Sequence, residues 1–214
     1  MEFDTWTLDP NKFLSKEQAG RLLMLTKHRA EKAFLKRQKV AIRDYFIMHL
    51  GLATGLRVME IVSLNCGDLS LNNSVSSVLV RKGKGGKKRR VYFNGAFIKH
   101  CEEFLNWKQS IGESIEPDQP LLLSSNSGTY MSRRAIQNCF KRCARIASLP
   151  LHYYSIHCLR HTYACFLLES SGWNMRFVQK QLGHSRITTT QVYADVMSPA
   201  VKKALTCFNN ILSI

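Results

Sequence analysis

No apolar run in this chain approaches the roughly 18 residues that a membrane span needs. Its opening stretch, MEFDTWTLDP, is acidic where a secretory leader would be basic and then apolar. Both absences make a soluble cytoplasmic protein, with no membrane partner, the expectation. The cysteines (Cys66, Cys101, Cys139, Cys143, Cys158, Cys165 and Cys207) are odd in number and contain no C-x-x-C pair. That argues against a disulfide framework and against zinc, and free cysteine is among the most buried residue types, so they read as reduced core residues. Clustered carboxylates are missing too, so a two-metal nuclease site has no candidate and neither metal nor cofactor is expected. Neither an internal repeat nor a low-complexity linker interrupts the chain.

Positive charge is plentiful. Thirty-one Lys and Arg face 15 Asp and Glu, leaving +16 at pH 7, which favours a polyanionic partner, nucleic acid ahead of an anionic membrane surface. With 214 residues, 45% of them hydrophobic, the chain can bury one sizeable core. One globular domain over 15–197 is expected, with 1–14 as an N-terminal extension or linker remnant and 198–214 as a terminal helix.

Local signals fill in this frame. Ser15 and Gln18 form a capping box ahead of Leu22, Leu23 and Leu25, predicting a helix to about residue 29. A longer helix follows, with Ile42, Phe46, Leu50 and Ala53 on its buried stripe; Gly55 interrupts it before a short helix over 58–64. From 75 to 93 the period changes to two, and Gly85-Gly86 suits a two-residue hairpin turn. A helix over 96–110, a polar loop with Pro117 and Pro120, and a short strand at LLLSS (121–125) come next. Ser132 caps a helix to about Ala147, Ser155 one to about Ser171, and Asn174 one ending at Gly183. The threonines at 188–190 offer caps for another, and Ser198-Pro199 opens the last. The fold class is α+β, mostly α, with one small antiparallel sheet.

Four blocks carry chemistry: ATGLRVMEI at 53–61, GKGGKKRRV at 83–91, SIHCLRHT at 155–162 and QLGHSRITTTQVYADV at 181–196. Taken alone, the third reads as a helix with a snorkelling arginine and a core histidine. In this order and spacing, the four resemble the catalytic domain of the tyrosine recombinases, the phage integrases and chromosome-dimer resolving enzymes. The resemblance implies the DNA breaking-rejoining fold and an active site of Arg57, Lys84, His157, Arg160, His184 and Tyr193. Small departures, Met59 and Asp195, touch no reacting group. The matching L-R-H-T implies a packing or hydrogen-bonding role for His161, with no proton-transfer duty.

These residue types suit that chemistry. A phenol with a pKa of about 10 is scarcely ionised at neutrality, so Tyr193 needs help to attack phosphorus; the resemblance gives that task to His157. Arg57 and Arg160 can fork onto the phosphoryl oxygens with fixed charge. Glu60, three residues after Arg57, can orient it or form an ordinary helix ion pair. Expulsion of a deoxyribose 5′-oxygen needs a proton, and Lys84 is chosen for it by the family's G-K-G turn alone. Arg81, Lys82, Lys87, Lys88, Arg89 and Arg90 remain as a phosphate-gripping set on the same hairpin.

The resemblance implies a site-specific DNA recombinase working through a 3′-phosphotyrosyl link, without cofactor, on double-stranded DNA in the nucleoid. Partners are expected to be three further copies, in a homotetramer on two DNA sites, and accessory DNA-bending proteins; a monomer without DNA is compatible with this. Alternatives are relaxation of the type IB topoisomerase kind and a non-cleaving DNA-binding regulator. Val201, Leu205, Phe208 and Leu212 share one side of the last helix, which by resemblance docks on a neighbouring protomer, packing on its own domain being the alternative. Family members usually carry a clamp domain of about a hundred residues before this one. An excised domain or a short member without the clamp is therefore expected, and with it weak, salt-sensitive DNA binding.

Overall fold

In the computed structural model, the described residues are 12–196 without 37, 73–74, 84–85, 94 and 126. Residues 1–11 of the N-terminal extension, the last helix with its stripe, Cys207, Lys84 and Gly85 lie outside them. Eight α-helices and three strands make up the rest: α1 Lys16–Leu35, α2 Lys39–Thr54, α3 Val58–Val62, β1 Leu69–Ser70, β2 Ser76–Val80, β3 Arg89–Phe93, α4 Ala96–Ser110, α5 Arg133–Ile146, α6 His157–Ser170, α7 Met175–Leu182 and α8 Thr188–Val196. A 3-10 turn at Cys66–Asp68 precedes β1.

The capping box forms as expected: the Gln18 N–H donates to Ser15 Oγ (3.1 Å) and the Ser15 N–H to Gln18 Oε1 (2.9 Å). Helix α1 runs past residue 29 because Ala30 and Ala33 extend its buried face onto α2. Helix α2 is the hub, touching α1, α4, α5, α6 and β3. Its residues Ile42, Phe46, Ile47 and Leu50 sit in the main core. It ends at Gly55, whose φ of 60° is left-handed; a Cβ there would stand 2.2 Å from Tyr163 Cδ1. Helices α6, α7 and α8 enclose a second, smaller core of Tyr163, Ala164, Cys165, Leu168, Val178, Leu182 and Tyr193.

The sheet is antiparallel in the order β1-β2-β3. The hairpin register differs from the Gly85-Gly86 turn. Val78 pairs with Val91 and Val80 with Arg89, leaving 81–88 as the connection, where the Gly83 N–H donates to the Lys87 carbonyl and the Gly86 N–H to that of Gly83, both 3.0 Å. A turn at Gly85-Gly86 would have set Arg81 opposite Arg90 and Lys82 opposite Arg89. In the observed register the ladder stops at Val80 and Arg89, so no two cations of the hairpin are paired in it.

Other boundaries shift for local reasons. LLLSS is no strand: it contributes a single bridge, Leu123 to Tyr130, while Leu121 and Leu122 are buried. The short β1 is an extra partner for β2. Helix α6 starts without a cap from the Ser155 side chain; Ile156 is already helical and the Ser155 carbonyl accepts from the Cys158 N–H (2.9 Å). The threonines 188–190 form the first turn of α8 instead of preceding it. Cys66, Cys101, Cys139, Cys143, Cys158 and Cys165 are free and buried. Cys139 and Cys143 approach Asp44, whose carboxylate is occupied by Arg142 (2.6 and 3.1 Å) and Arg29 (3.2 Å), an ion-pair knot between α1, α2 and α5.

Candidate active site

The left-handed turn at Gly55 puts Arg57 at the N-cap of α3 with extended backbone. One turn on, Glu60 reaches back: its Oε2 accepts from the Arg57 N–H (2.8 Å) and its Oε1 from Arg57 Nη1 (3.0 Å). The same carboxylate accepts two further bonds of 2.8 Å from Nη1 and Nη2 of Arg89 on β3. Burial alone would raise the Glu60 pKa, but the Arg89 bonds and charge, with those of Arg57, outweigh it and hold the carboxyl below its usual range. Arg89 Nε also donates to the Gln181 carbonyl (3.2 Å), and its side chain lies against Gly183, where a Cβ would come within 2.7 Å of Arg89 Cδ. Glu60 and Arg89 thus lock α3, the hairpin and the end of α7 together.

Arg160, 6% exposed on α6, donates from Nη1 to the Gly55 carbonyl (2.6 Å) and from Nη2 to that of Leu182 (2.8 Å). Burial, then the field of Arg57, brings its pKa down to about 10, so it remains a cation at neutral pH. Its hydrogen-bond partners are neutral. Three of its five N–H donors are held by neutral groups and no carboxylate is bonded to it, which leaves donors and charge for an anion nearby.

His184 follows Gly183, the left-handed cap of α7. Its Nε2 lies 3.0 Å from Arg160 Nη2 and its Nδ1 3.0 Å from Thr190 Oγ1. Arginine can only donate, so Nε2 accepts and Nδ1 carries the proton toward Thr190. Burial, then Arg160, Arg57 and Arg89, push this imidazole down to about 3, in keeping with the neutral tautomer.

Tyr193 lies one turn beyond Thr190 on the same face of α8. It is 4% exposed, its ring near-parallel to that of His184 (11°, centroids 6.4 Å apart), and its hydroxyl is 3.2 Å from Nδ1 of His161. Burial raises the phenol pKa, and the fields of Arg160 and Arg57 pull against it. His157, at the exposed start of α6, makes no hydrogen bond among the described residues. Partial burial of its ring, then Arg133, Arg160 and Arg57, lowers its pKa.

Beside His184 opens a cleft of about 600 Å³, lined by Arg57, Lys87, Lys88, Arg89, Arg176 and Lys180 and, among the described residues, by no carboxylate; Arg160, His157 and Tyr193 are not among its lining residues. Of the six hairpin cations expected to grip phosphate, Lys87 and Lys88 line the cleft and are exposed, and Arg89 lines it with its guanidinium held by Glu60. Lys82 and Arg90 are exposed, Arg90 bonding Ser77 Oγ (3.2 Å). Two turn inward: Arg81 to the Ser63 carbonyl (2.6 Å) and Asp68 (3.2 Å), Arg89 to Glu60. Arg176 and Lys180 went unassigned in the sequence, and His161 was given a packing or hydrogen-bonding role without a partner. Arg176 and Lys180 stand four apart on α7, a spacing that was there to read. His161 adjoins Arg160, and only the fold reveals its contact with Tyr193.

The fold and this grouping define a class: a mostly helical α+β domain presenting guanidinium and imidazole groups to a cationic cleft, with a buried tyrosine packed beside His184. The model of the phage integrase family matches residues 12–198, and the chain belongs to that family. It is 38% identical over 154 residues to tyrosine recombinase XerC of Vibrio parahaemolyticus, covering 72% of this chain and 47% of that protein. To tyrosine recombinase XerD of Rickettsia conorii it is 37% identical over 171 residues, covering 77% and 55%. The chain therefore spans about half the length of the curated relatives it matches. Among solved structures, XerA recombinase superimposes with a TM-score of 0.71 at 28% identity, over 92% of this chain and 64% of that one. XerH site-specific recombinase bound to difH gives 0.69 at 23% identity, over 88% and 50%. No described helix is long and apolar enough to cross a membrane.

Proposed function

We propose that the chain is the catalytic part of a site-specific DNA recombinase that cleaves and rejoins DNA through a 3′-phosphotyrosyl link. One observation carries the reading: Arg160, a buried cation, is held by neutral groups beside His184, and His184 lines a cleft edged by six cationic side chains. A DNA phosphate supplies the missing anion. Arg57 and Arg160 would bind its non-bridging oxygens, a charge-stabilising duty that a divalent metal performs elsewhere. His184, held neutral, adds a polar neighbour that fixes the Arg160 fork. The Tyr193 oxygen would attack phosphorus, the bond to the 5′-oxygen would break, and a hairpin lysine, Lys84 by family match, would protonate the leaving oxygen. The covalent link conserves the bond's free energy, so religation needs no nucleotide.

Similarity to XerH, solved on its difH substrate, supports duplex DNA as the partner. A homotetramer on two sites, with accessory DNA-bending proteins, is the assembly inferred for the nucleoid. The test incubates the full chain and Tyr193→Phe with paired recombination substrates and with supercoiled plasmid. Recombinant product from wild type alone supports the reading. Relaxation of any plasmid without recombination would make the chain a topoisomerase, and binding without cleavage a regulator.

A further inference from the structure

The C-terminal end of α7 is capped by two arginines from distant parts of the chain. A helix leaves its last four carbonyls without partners in its own ladder. In α7 the carbonyls of Gln179 and Lys180 accept from the Gly183 N–H (2.9 and 3.2 Å). The next two go to guanidiniums: that of Gln181 accepts from Arg89 Nε (3.2 Å) and that of Leu182 from Arg160 Nη2 (2.8 Å). Both cations thus meet the negative end of the helix dipole. The Gln181 side chain adds a second tether to the hairpin, its Oε1 accepting from the Tyr92 N–H (3.0 Å).

From this cap each arginine reaches a different arm of the site. Arg160 Nη2 lies 3.0 Å from His184 Nε2. Arg89 binds both oxygens of Glu60, and Glu60 holds Arg57. The Arg89 side chain is 11% exposed and flanked by two glycines. A Cβ at Gly183 would stand 2.7 Å from Arg89 Cδ, and one at Gly83 would stand 3.2 Å from its Nη1, so both approaches need the missing side chain.

We propose that Arg89 is a positioning residue, acting through Glu60 and the end of α7 to fix the separation of the two phosphate-binding guanidiniums, Arg57 and Arg160. The proposal rests on the recombinase reading and takes Arg89 out of the set of hairpin cations that touch phosphate. Arg160 also donates to the Gly55 carbonyl, which braces the backbone two residues ahead of Arg57; Arg89 braces the Arg57 side chain itself, through Glu60. Charge gathers on the non-bridging oxygens as the Tyr193 oxygen bonds phosphorus, and donors already in place stabilise it without reorganising.

The test is single-turnover cleavage by the full chain of a nicked suicide duplex whose scissile linkage is either a phosphodiester or an uncharged methylphosphonate. Arg89→Gln should slow cleavage of the phosphodiester about 10- to 100-fold. Arg89→Lys, which keeps the charge and loses the fork, should fall between Arg89→Gln and wild type. On the methylphosphonate, which carries no charge for a guanidinium to neutralise, Arg89→Gln should come within about 3-fold of wild type, a relief that a merely structural lesion would not show. The slope of log affinity against log salt should match wild type. Arg89→Gln cleaving the phosphodiester at the wild-type rate, defects of equal size on both linkages, or a slope lowered by about 1, the mark of a direct phosphate contact, overturns the proposal. Wild type cleaving neither duplex would instead overturn the recombinase reading, and this inference with it.

Discussion

Arg89 and Glu60 face one another through two parallel hydrogen bonds of 2.8 Å, although 29 residues separate them. Glu60 also grips Arg57, so one carboxylate holds the guanidinium at the cationic cleft and ties it to the hairpin. Glu60→Ala leaves both arginines without their anion. Breaking a buried pair of this kind costs about 3 kcal/mol, to be read from urea unfolding. Loss of the orienting partner should slow adduct formation about 10- to 100-fold. Glu60→Gln, which keeps the shape and loses the charge, should fall between wild type and alanine in both measurements.

The buried histidines set an acid limit on stability. His49 and His100, whose Nδ1 atoms are 2.9 Å apart, are held by burial at about 4 and about 3; His161 is at about 4 and His184 at about 3, against 6.5 in the unfolded chain. Each ring binds a proton more readily when unfolded. Stability is therefore at its full value above about 6.5 and declines as pH falls toward the folded values. Glu60, also depressed, adds its own loss below its unfolded value of 4.5. Urea midpoints measured at pH 7.5, 6 and 5 should fall steadily, and His184→Gln should flatten part of that slope. A midpoint independent of pH in this window would contradict the buried neutral assignments.

Much of this was legible in the sequence, and the exceptions share a cause. Caps at Ser15, Ser132 and Asn174, and the left-handed stops at Gly55 and Gly183, depend on residues within one turn of each other, so local reading found them. The hairpin register did not follow its glycines: Val78 pairs with Val91 and Val80 with Arg89, a choice of opposed residues that no local turn signal specifies. Arg89 looked like one more phosphate contact in a basic run; its partners, Glu60 and the Gln181 carbonyl, are close only once the chain is folded. The hydrogen-bonding role expected of His161 is met by Tyr193, a partner the sequence could not name, since α6 and α8 must pack before the two rings meet.

The cationic rim makes DNA affinity strongly dependent on salt. Lys87, Lys88, Arg176 and Lys180 are exposed along the cleft. Replacing any one with alanine should lower the slope of log affinity against log salt by about 1, equally for all sequences. Arg81→Ala should leave that slope unchanged, because its guanidinium is bound to Ser63 and Asp68. Equal effects from all five would mean that the cleft does not carry the phosphate backbone.

The central claim is that Tyr193 becomes covalently joined to DNA with arginines, not a metal, stabilising the charge. It is tested most directly by trapping the full chain on a nicked suicide duplex in excess EDTA, digesting the adduct and locating the attached nucleotide by mass spectrometry. An SDS-resistant adduct with its 3′-phosphate on Tyr193, absent from Tyr193→Phe, is the predicted result. No adduct, one that EDTA abolishes, or a linkage on another residue such as Tyr163 would contradict it.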